Sequence, residues 1–154
     1  MPNRQCTLLV CHGTGCVSGG AEQIFSSLET EIARLNLAAS IQIKRTGCHG
    51  FCQRGPLVVI EPEGIFYSKV KPEDTPDIIQ SLLQEGKPVE RLFYYDPIID
   101  KPIPHYYDIP FYYKQQRLVL RNCGFVDPDN INDYITRGGY GGLVKALGMS
   151  PEEV

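Results

Sequence analysis

The sequence lacks both a large net charge and a long apolar run. Its 15 Lys and Arg against 18 Asp and Glu give a formal net charge of −3, so nothing indicates nucleic acid or an anionic membrane surface as a partner. The first apolar run, residues 7–10, is too short for a signal-peptide core or a membrane span, and no small-residue cleavage site follows it. These absences predict a cytoplasmic, reducing location, where grouped cysteines favour metal or redox chemistry over structural disulfides.

Four of the six cysteines form two close pairs in glycine-rich sequence. The first pair lies in CHGTGC (11–16) and the second in GCHGFCQRG (47–55). Glycine lets the backbone approach an inorganic cluster closely and offer N–H groups to its sulfur atoms. The pattern therefore predicts an iron–sulfur site. Its predicted metal-binding and cofactor-binding residues are Cys11, Cys16, Cys48 and Cys52.

Two other interpretations of these four thiols stay open. A zinc-binding structural or assembly domain would also use four thiolates, although zinc motifs usually carry tighter C-x2-C pairs. A thiol–disulfide redox protein is the other alternative, but neither pair has the C-x-x-C spacing of that chemistry.

The remaining cysteines and two of the histidines are not expected to bind metal. Four cysteines complete a 2Fe–2S site, so His12 and His49 should lie beside it without holding iron. Cys6 and Cys123 lie outside the two pairs and are expected to be buried apolar thiols.

Hydrophobic periodicity predicts strand, helix, strand, hairpin and helix over residues 6–86. Residues 7–10 and 41–45 have strand character, and residues 24–35 carry an apolar stripe at helical spacing. Ser18 is the predicted N-cap of that helix and Asn36 its left-handed end. The hairpin joins residues 57–60 to residues 65–67.

A second helix is predicted to begin at Thr75, with Pro76 in its first turn, and to end at Gly86. Its expected buried face consists of Ile78, Ile79, Leu82 and Leu83.

This order of elements predicts an α/β fold, a thioredoxin-like mixed four-stranded sheet with flanking helices. The strand–helix–strand unit should be a right-handed parallel crossover, and the hairpin adds an antiparallel pair. Both cysteine pairs follow the carboxyl ends of the parallel strands, where ligands gather in open α/β sheets. The two cysteine loops are therefore predicted to meet at one edge of the sheet.

Residues 87–121 differ in character and are called the strap below. Adjacent tyrosines are interleaved with prolines, which exclude regular helix, while so many aromatic residues argue against a free linker. We predict an extended Pro/Tyr-rich strap lying on another surface, with neighbours outside this chain; the acidic balance disfavours a nucleic-acid stacking platform. The tyrosines are Tyr94, Tyr95, Tyr106, Tyr107, Tyr112 and Tyr113.

Short helices are predicted beyond the strap. Asp127 and Pro128 should cap one that carries Ile131, and residues 143–147 should form another. Residues 150–153 carry the start signals of a further helix, so we expect the sequence to be cut at Val154.

The cysteine spacing on this plan resembles that of the thioredoxin-like 2Fe–2S ferredoxins. Later segments are similar to the NADH-binding flavoprotein subunits of respiratory complex I, NAD-linked hydrogenases and formate dehydrogenases. In several of those relatives a ferredoxin domain precedes the flavin domain, the order seen here. The similar segments are residues 112–117, 121–124, 133–134, 138–140 and 150–153.

The resemblance implies two domains. Residues 1–88 would be the thioredoxin-like 2Fe–2S ferredoxin domain, and residues 89–154 the strap with the N-terminal part of a truncated flavin- and NADH-binding domain. FMN and NAD(H) would bind only in the missing continuation, because residues 138–142 lack the family's arginine-containing glycine run. This chain alone would therefore lack a complete flavin or NADH site.

The implied function is one-electron transfer through the cluster, as the N-terminal module of an NADH-dependent flavoprotein oxidoreductase. The implied partners are the remaining flavin domain and other iron–sulfur subunits, with no nucleic acid and no direct membrane insertion. The location would be cytoplasmic, at most peripheral to a membrane complex.

Overall fold

The structure is a computed structural model that describes residues 5–83 and 87–154. One four-stranded mixed sheet has the order β2–β1–β3–β4. Strand β1 pairs in parallel with β2 and antiparallel with β3, and β3 pairs antiparallel with β4. The predicted α/β plan is confirmed. The strands are β1 (Cys6–Cys11), β2 (Ile41–Thr46), β3 (Val58–Glu61) and β4 (Ile65–Tyr67).

The register of the parallel pair fixes where the cysteine loops begin. Cys11, the last residue of β1, lies opposite Thr46, the last residue of β2. Both loops therefore leave the sheet at the same edge, as predicted. The core beside this edge is formed by the buried residues Leu8, Leu9, Val10, Val58, Val59 and Ile60.

Two helices follow β1, a short α1 (Thr14–Ser18) and a longer α2 (Ala21–Arg34). The apolar stripe of α2 is buried, and Asn36 adopts a φ of 55°, so the predicted left-handed end is confirmed. Ser18 is not the N-cap of α2. It ends α1 instead, because Gly20, with a φ of 101°, separates the two helices in a conformation that favours glycine.

Helix α3 (Thr75–Leu83) begins where predicted, after a single 3₁₀ turn over Pro72–Asp74. Ile78 and Ile79 are buried as expected, but Leu83 is 48% exposed. Its predicted burial is wrong because the helix leaves the core towards its C-terminal end, where Leu82 is already only partly buried. The predicted end at Gly86 lies outside the described residues.

The strap contains more regular structure than its prolines suggested. Strands β5 (Tyr94–Asp96) and β6 (Lys101–Ile103) form an antiparallel hairpin. A helical turn, α4 (Pro110–Tyr113), follows a 3₁₀ turn over Tyr106–Asp108. The strap is therefore extended in this hairpin, and the expectation that its prolines exclude regular helix is wrong only at the single turn of α4. Pro110 occupies the first turn of α4, where a helix does not need that N–H group.

The strap runs along β4, the edge strand of the sheet. Backbone N–H groups join the two at three places: Phe66 donates to Pro104 O, Tyr106 to Gly64 O and Ser68 to Leu92 O, each at 2.8 Å. The edge that could pair with another chain is thereby covered. The strap therefore lies on this chain's own sheet.

The tyrosine pairs of the strap share one arrangement. In each pair one ring is buried and its neighbour is exposed. The strap therefore contributes an inner aromatic layer to the core. Its buried members are Tyr94, Tyr106 and Tyr112.

Two short helices follow the strap, α5 (Ile131–Thr136) and α6 (Gly141–Ala146). The side chain of Asn130 caps α5, accepting from the N–H of Asn132 at 3.0 Å, so Asp127 is not the cap. Asp127 instead accepts from the N–H of Asp129 in a local turn. Within residues 5–83 and 87–154, no helix has the length and apolar character needed to cross a membrane.

Candidate iron–sulfur site

The local structure brings four thiols to one edge of the sheet. Cys11 ends β1 and Cys16 lies in α1, and both side chains are buried. Cys48 and Cys52 belong to the loop after β2, where Cys52 begins a 3₁₀ turn (Cys52–Arg54). Cys48 is partly buried and Cys52 is exposed. The site therefore has a buried side and a side open to the surface.

Glycines of each loop make room for the cysteines of the other. A Cβ on Gly13 would lie 2.9 Å from Cys48 Sγ, and one on Gly55 would lie 2.7 Å from Cys16 Sγ. Gly15 approaches Cys52 in the same way, since its Cβ would lie 3.3 Å from the Cys52 Cβ. The loops thus interdigitate, which confirms the prediction that they meet. Side chains at these glycines would occupy the space of the sulfur atoms.

The thiols are arranged as two pairs. Cys48 Sγ lies 3.7 Å from Cys52 Sγ, far longer than the ~2.05 Å of a disulfide. Two thiolates on one tetrahedral metal at ~2.3 Å would be ~3.8 Å apart, so this pair fits a shared ion. Among the residues that the structure describes, no three Cys, His, Asp or Glu side chains are grouped to hold a single ion. The thiols thus offer metal ligands in pairs rather than as one group around a single ion.

Cys11 and Cys16 are joined by a hydrogen bond that lowers the pKa of one thiol and raises the pKa of the other. The Cys16 thiol donates to Cys11, and the backbone N–H groups of His49 and Gly13 add to this, so the pKa of Cys11 falls to about 6 despite burial. The same bond raises the pKa of Cys16, and burial raises it further. In the metal-free protein this hydrogen bond thus favours deprotonation of Cys11 over Cys16.

The second pair, Cys48 and Cys52, is more exposed to solvent than the first. Burial raises the pKa of Cys48, while the N–H of Gly50 donates to its sulfur at 3.2 Å and opposes that shift. Backbone N–H groups thus reach sulfur in both loops. These bonds are made to cysteine sulfur, whereas the sequence prediction concerned the sulfur atoms of the cluster itself.

The other two cysteines lie outside the pairs, as expected, but neither is fully buried. Burial raises the pKa of Cys6 to about 11, and Glu63 adds to that shift. Cys123 accepts a hydrogen bond from Arg117 through its carbonyl group, at 3.4 Å.

The histidines beside the pairs have different surroundings. His12 Nδ1 lies 3.0 Å from Val10 O, and its Nε2 lies 3.4 Å from Glu22 Oε1. The His49 ring is buried, and burial together with Arg117 lowers its pKa to about 4, so the ring is neutral. Its two ring nitrogens have no hydrogen-bond partner in the described part of the chain.

Three basic residues close in sequence to the second cysteine pair have different partners. Lys44 pairs with Asp133 at 2.6 Å, and Arg45 pairs with Glu22 at 3.3 Å. Arg54 instead lies over the ring of Tyr94, with its guanidinium carbon 5.3 Å from the ring centroid. Of the three cations, Lys44 and Arg45 are thus already matched by carboxylates.

The sequence prediction missed the strap's part in the site. Phe51, between Cys48 and Cys52, stacks on Phe111 at 4.8 Å and lies 5.0 Å from the Tyr94 ring. An aromatic residue inside a short glycine-rich loop was the available signal, because such a side chain needs a packing partner. Its partner comes from a part of the sequence assigned to another domain.

Comparison with known proteins identifies the family. Residues 1–83 match the thioredoxin-like 2Fe–2S ferredoxin family, which is more than half of this chain. The chain therefore belongs to the thioredoxin-like 2Fe–2S ferredoxins. Its ferredoxin domain binds a 2Fe–2S cluster and transfers electrons.

Individual ferredoxins are similar to this chain in sequence and in structure. The chain is 34% identical over 77 residues to a 2Fe–2S ferredoxin of Clostridium pasteurianum, covering 50% of this chain and 76% of that protein. It resembles the crystal structure of the thioredoxin-like 2Fe–2S ferredoxin of Aquifex aeolicus, with a TM-score of 0.53 and 33% identity. That match covers 58% of this chain and 95% of the other.

A third relative belongs to a larger protein. Over 41 residues the chain is 58% identical to the NADP-reducing hydrogenase subunit HndC of Solidesulfovibrio fructosivorans. The match covers 27% of this chain and 8% of that subunit.

Proposed function

We propose that the four paired cysteines are the ligands of the 2Fe–2S cluster, with one pair on each iron. The observation that carries this proposal is the interdigitation of the two loops, in which glycines leave space for the opposite thiols. The bound cluster would supply a one-electron couple. The ligands are Cys11, Cys16, Cys48 and Cys52.

The buried inner side and the exposed outer side of the site would have different roles. Buried Cys11 and Cys16 exclude water from the inner side. The N–H groups of Gly13, His49 and Gly50 face thiolates and stabilise negative charge there. Exposed Cys52 places the outer side at the surface, where a redox partner can approach.

Iron and acid-labile sulfide analysis tests the cofactor and ligand assignments together. Two irons and two sulfides per chain are expected for the wild type, with a red-brown colour and an EPR signal on reduction. Cys48→Ser should abolish or alter the visible spectrum. Cys6→Ser is the matched control and should leave the spectrum largely intact. Zinc without sulfide in the wild type would contradict the assignment and favour the structural zinc interpretation.

We further propose that the chain is the N-terminal module of a cytoplasmic, NADH-dependent flavoprotein oxidoreductase. Its similarity over 41 residues to a hydrogenase subunit supports this context. FMN and NAD(H) would then bind in the continuation of the chain. Residues 1–88 would carry the cluster, and residues 89–154 would lead into the flavin domain while partner subunits contribute further iron–sulfur centres.

The native assembly allows a direct test of that context. Protein isolated from its natural source should contain FMN, and adding NADH should bleach the visible absorption of the cluster. An assembly that retains its 2Fe–2S cluster but lacks flavin, or whose cluster NADH does not reduce, would contradict the proposed context without affecting the ligand assignment.

A further inference from the structure

One buried hydroxyl at the site has no partner. The side chain of Tyr112, in α4, is 6% exposed, and its hydroxyl group makes no hydrogen bond to the described residues. A buried donor without a partner is costly, and such groups in native proteins call for an explanation. The Tyr112 hydroxyl therefore needs an acceptor that the polypeptide does not supply.

The surroundings of Tyr112 show where that acceptor would be. Its ring contacts Phe51, the aromatic residue between Cys48 and Cys52, with 5.7 Å between ring centroids. Burial is the main cause that raises the pKa of Tyr112, and charges on Tyr106, Cys11 and Cys48 also raise it. These charge interactions link Tyr112 to one cysteine of each pair, and its ring packs directly against the loop that carries the second pair.

The strap holds this ring in place. Tyr106 stacks on Tyr112 with 4.0 Å between centroids and an interplanar angle of 27°. The guanidinium group of Arg117 lies 5.6 Å from the Tyr112 centroid and donates a hydrogen bond to the Tyr106 hydroxyl. Because Arg117 binds the hydroxyl of Tyr106, the hydroxyl of Tyr112 stays available as a donor. The hydroxyl oxygen itself is buried.

We propose that the Tyr112 hydroxyl donates a hydrogen bond to a sulfur atom of the 2Fe–2S cluster and thereby raises its reduction potential. This inference rests on the proposed ligand set. A hydrogen bond to cluster sulfur is stronger when the cluster carries more negative charge, so it favours the reduced state. The strap is then part of the electron-transfer site as well as a cover for the sheet edge.

A redox titration of full-length Tyr112→Phe, followed by visible absorption and EPR, tests the proposal. The potential should fall, and the reduced-to-oxidised ratio at a fixed potential should decrease by up to about tenfold, which corresponds to about 59 mV. Exchangeable proton couplings in the EPR-detected spectrum of the reduced cluster should weaken as well. Phenylalanine keeps the ring packing, so the melting temperature of the metal-free protein shows whether the fold is intact.

Two matched variants control for unrelated effects. Tyr113→Phe removes an exposed hydroxyl from the same helix, and Tyr67→Phe removes a buried hydroxyl that accepts from the N–H of Val89. Both should keep the wild-type potential and couplings. A fall in potential common to all three variants would contradict a specific role for Tyr112.

The outcomes separate this inference from the ligand assignment. If wild type and Tyr112→Phe carry the same cluster with equal potentials and equal proton couplings, the hydrogen-bond proposal alone is overturned. If the wild type binds no 2Fe–2S cluster, or if Cys48→Ser leaves its spectrum unchanged, the ligand assignment fails and this inference fails with it.

Discussion

The ferredoxin part of the molecule, residues 5–83, and its last part, residues 127–154, use similar apolar residues to different effect. Helix α2 buries five side chains against the sheet and its neighbour α3. Helices α5 and α6 carry Ile131, Leu143 and Val144, yet none of their residues is buried. The difference shows that an apolar stripe produces a core only where a second element covers it. The strap lies between these two cases, because one tyrosine of each pair is covered.

The largest expected effect is on the free energy of unfolding, where a buried leucine of the first region is compared with an exposed leucine of the last. Leu28→Ala in α2 removes a fully buried side chain and should lower the free energy of unfolding by about 3 kcal/mol. Leu143→Ala in α6, where the side chain is 52% exposed, should change it by less than about 0.5 kcal/mol. Urea denaturation of both variants measures the contrast. Equal losses would show that α6 is covered in solution.

The second prediction compares a glycine of a cysteine loop with a glycine of the last part of the chain. Gly13→Ala places a methyl group 2.9 Å from Cys48 Sγ, so we expect a loss of about 1–3 kcal/mol in stability and a lower iron content after reconstitution. Gly141→Ala meets nothing within 4 Å and serves as the control. Iron per chain and thermal melting are the measurements. Full iron content in Gly13→Ala would contradict the close approach of the loops.

A third prediction concerns how the strap holds the Cys48–Cys52 loop. Phe111→Ala removes the ring that stacks on Phe51, an interaction of about 0.5–1.5 kcal/mol, so the loop should open more often. Alkylation of Cys48 and Cys52 in the metal-free protein should then proceed several-fold faster. Tyr113→Ala, at an exposed ring of the same helix, should leave the rate unchanged. Identical rates for wild type and Phe111→Ala would show that the strap does not restrain the loop.

The smallest expected effect concerns surface charge. Arg54 follows Cys52 by two residues and lies over Tyr94, so Arg54→Glu should lower the reduction potential by placing negative charge near the site. Lys145→Glu in α6 makes the same change of charge in the last part of the chain and should have less effect. Salt should weaken the shift, because surface charges are screened. A redox titration that shows no change, or a rise, would reject the prediction.

Much of the ferredoxin part could be predicted because its signals are local. The alternation in β2, the helical spacing of Ile24, Leu28 and Ile32, and the left-handed Asn36 each depend on a few neighbouring residues. The meeting of the cysteine loops followed from the topology of a parallel crossover. The prediction that Ser18 caps the long helix was wrong, because two helices begin close together here, α1 at Thr14 and α2 at Ala21.

The strap could not be predicted in the same way, because its structure depends on distant partners. Nothing near Pro104 in sequence indicates that its carbonyl accepts from the N–H of Phe66. The pairing of β5 with β6 and the burial of Tyr106 likewise depend on the edge of the sheet being present. Proline content indicated where regular helix is disfavoured, but it carried no information about the surface on which the strap lies.

The sequence by itself determined the cysteine pairs, the glycines around them and the order of strands and helices, because these depend on residue type and short-range spacing. Only the tertiary structure decided which tyrosines are buried and that Tyr112 packs against Phe51 of the second cysteine loop. Those properties arise from contacts between residues far apart in the chain, such as Phe51 with Phe111 and Tyr112. Burial and hydrogen bonding act on atoms brought together by the fold, and no local pattern specifies them.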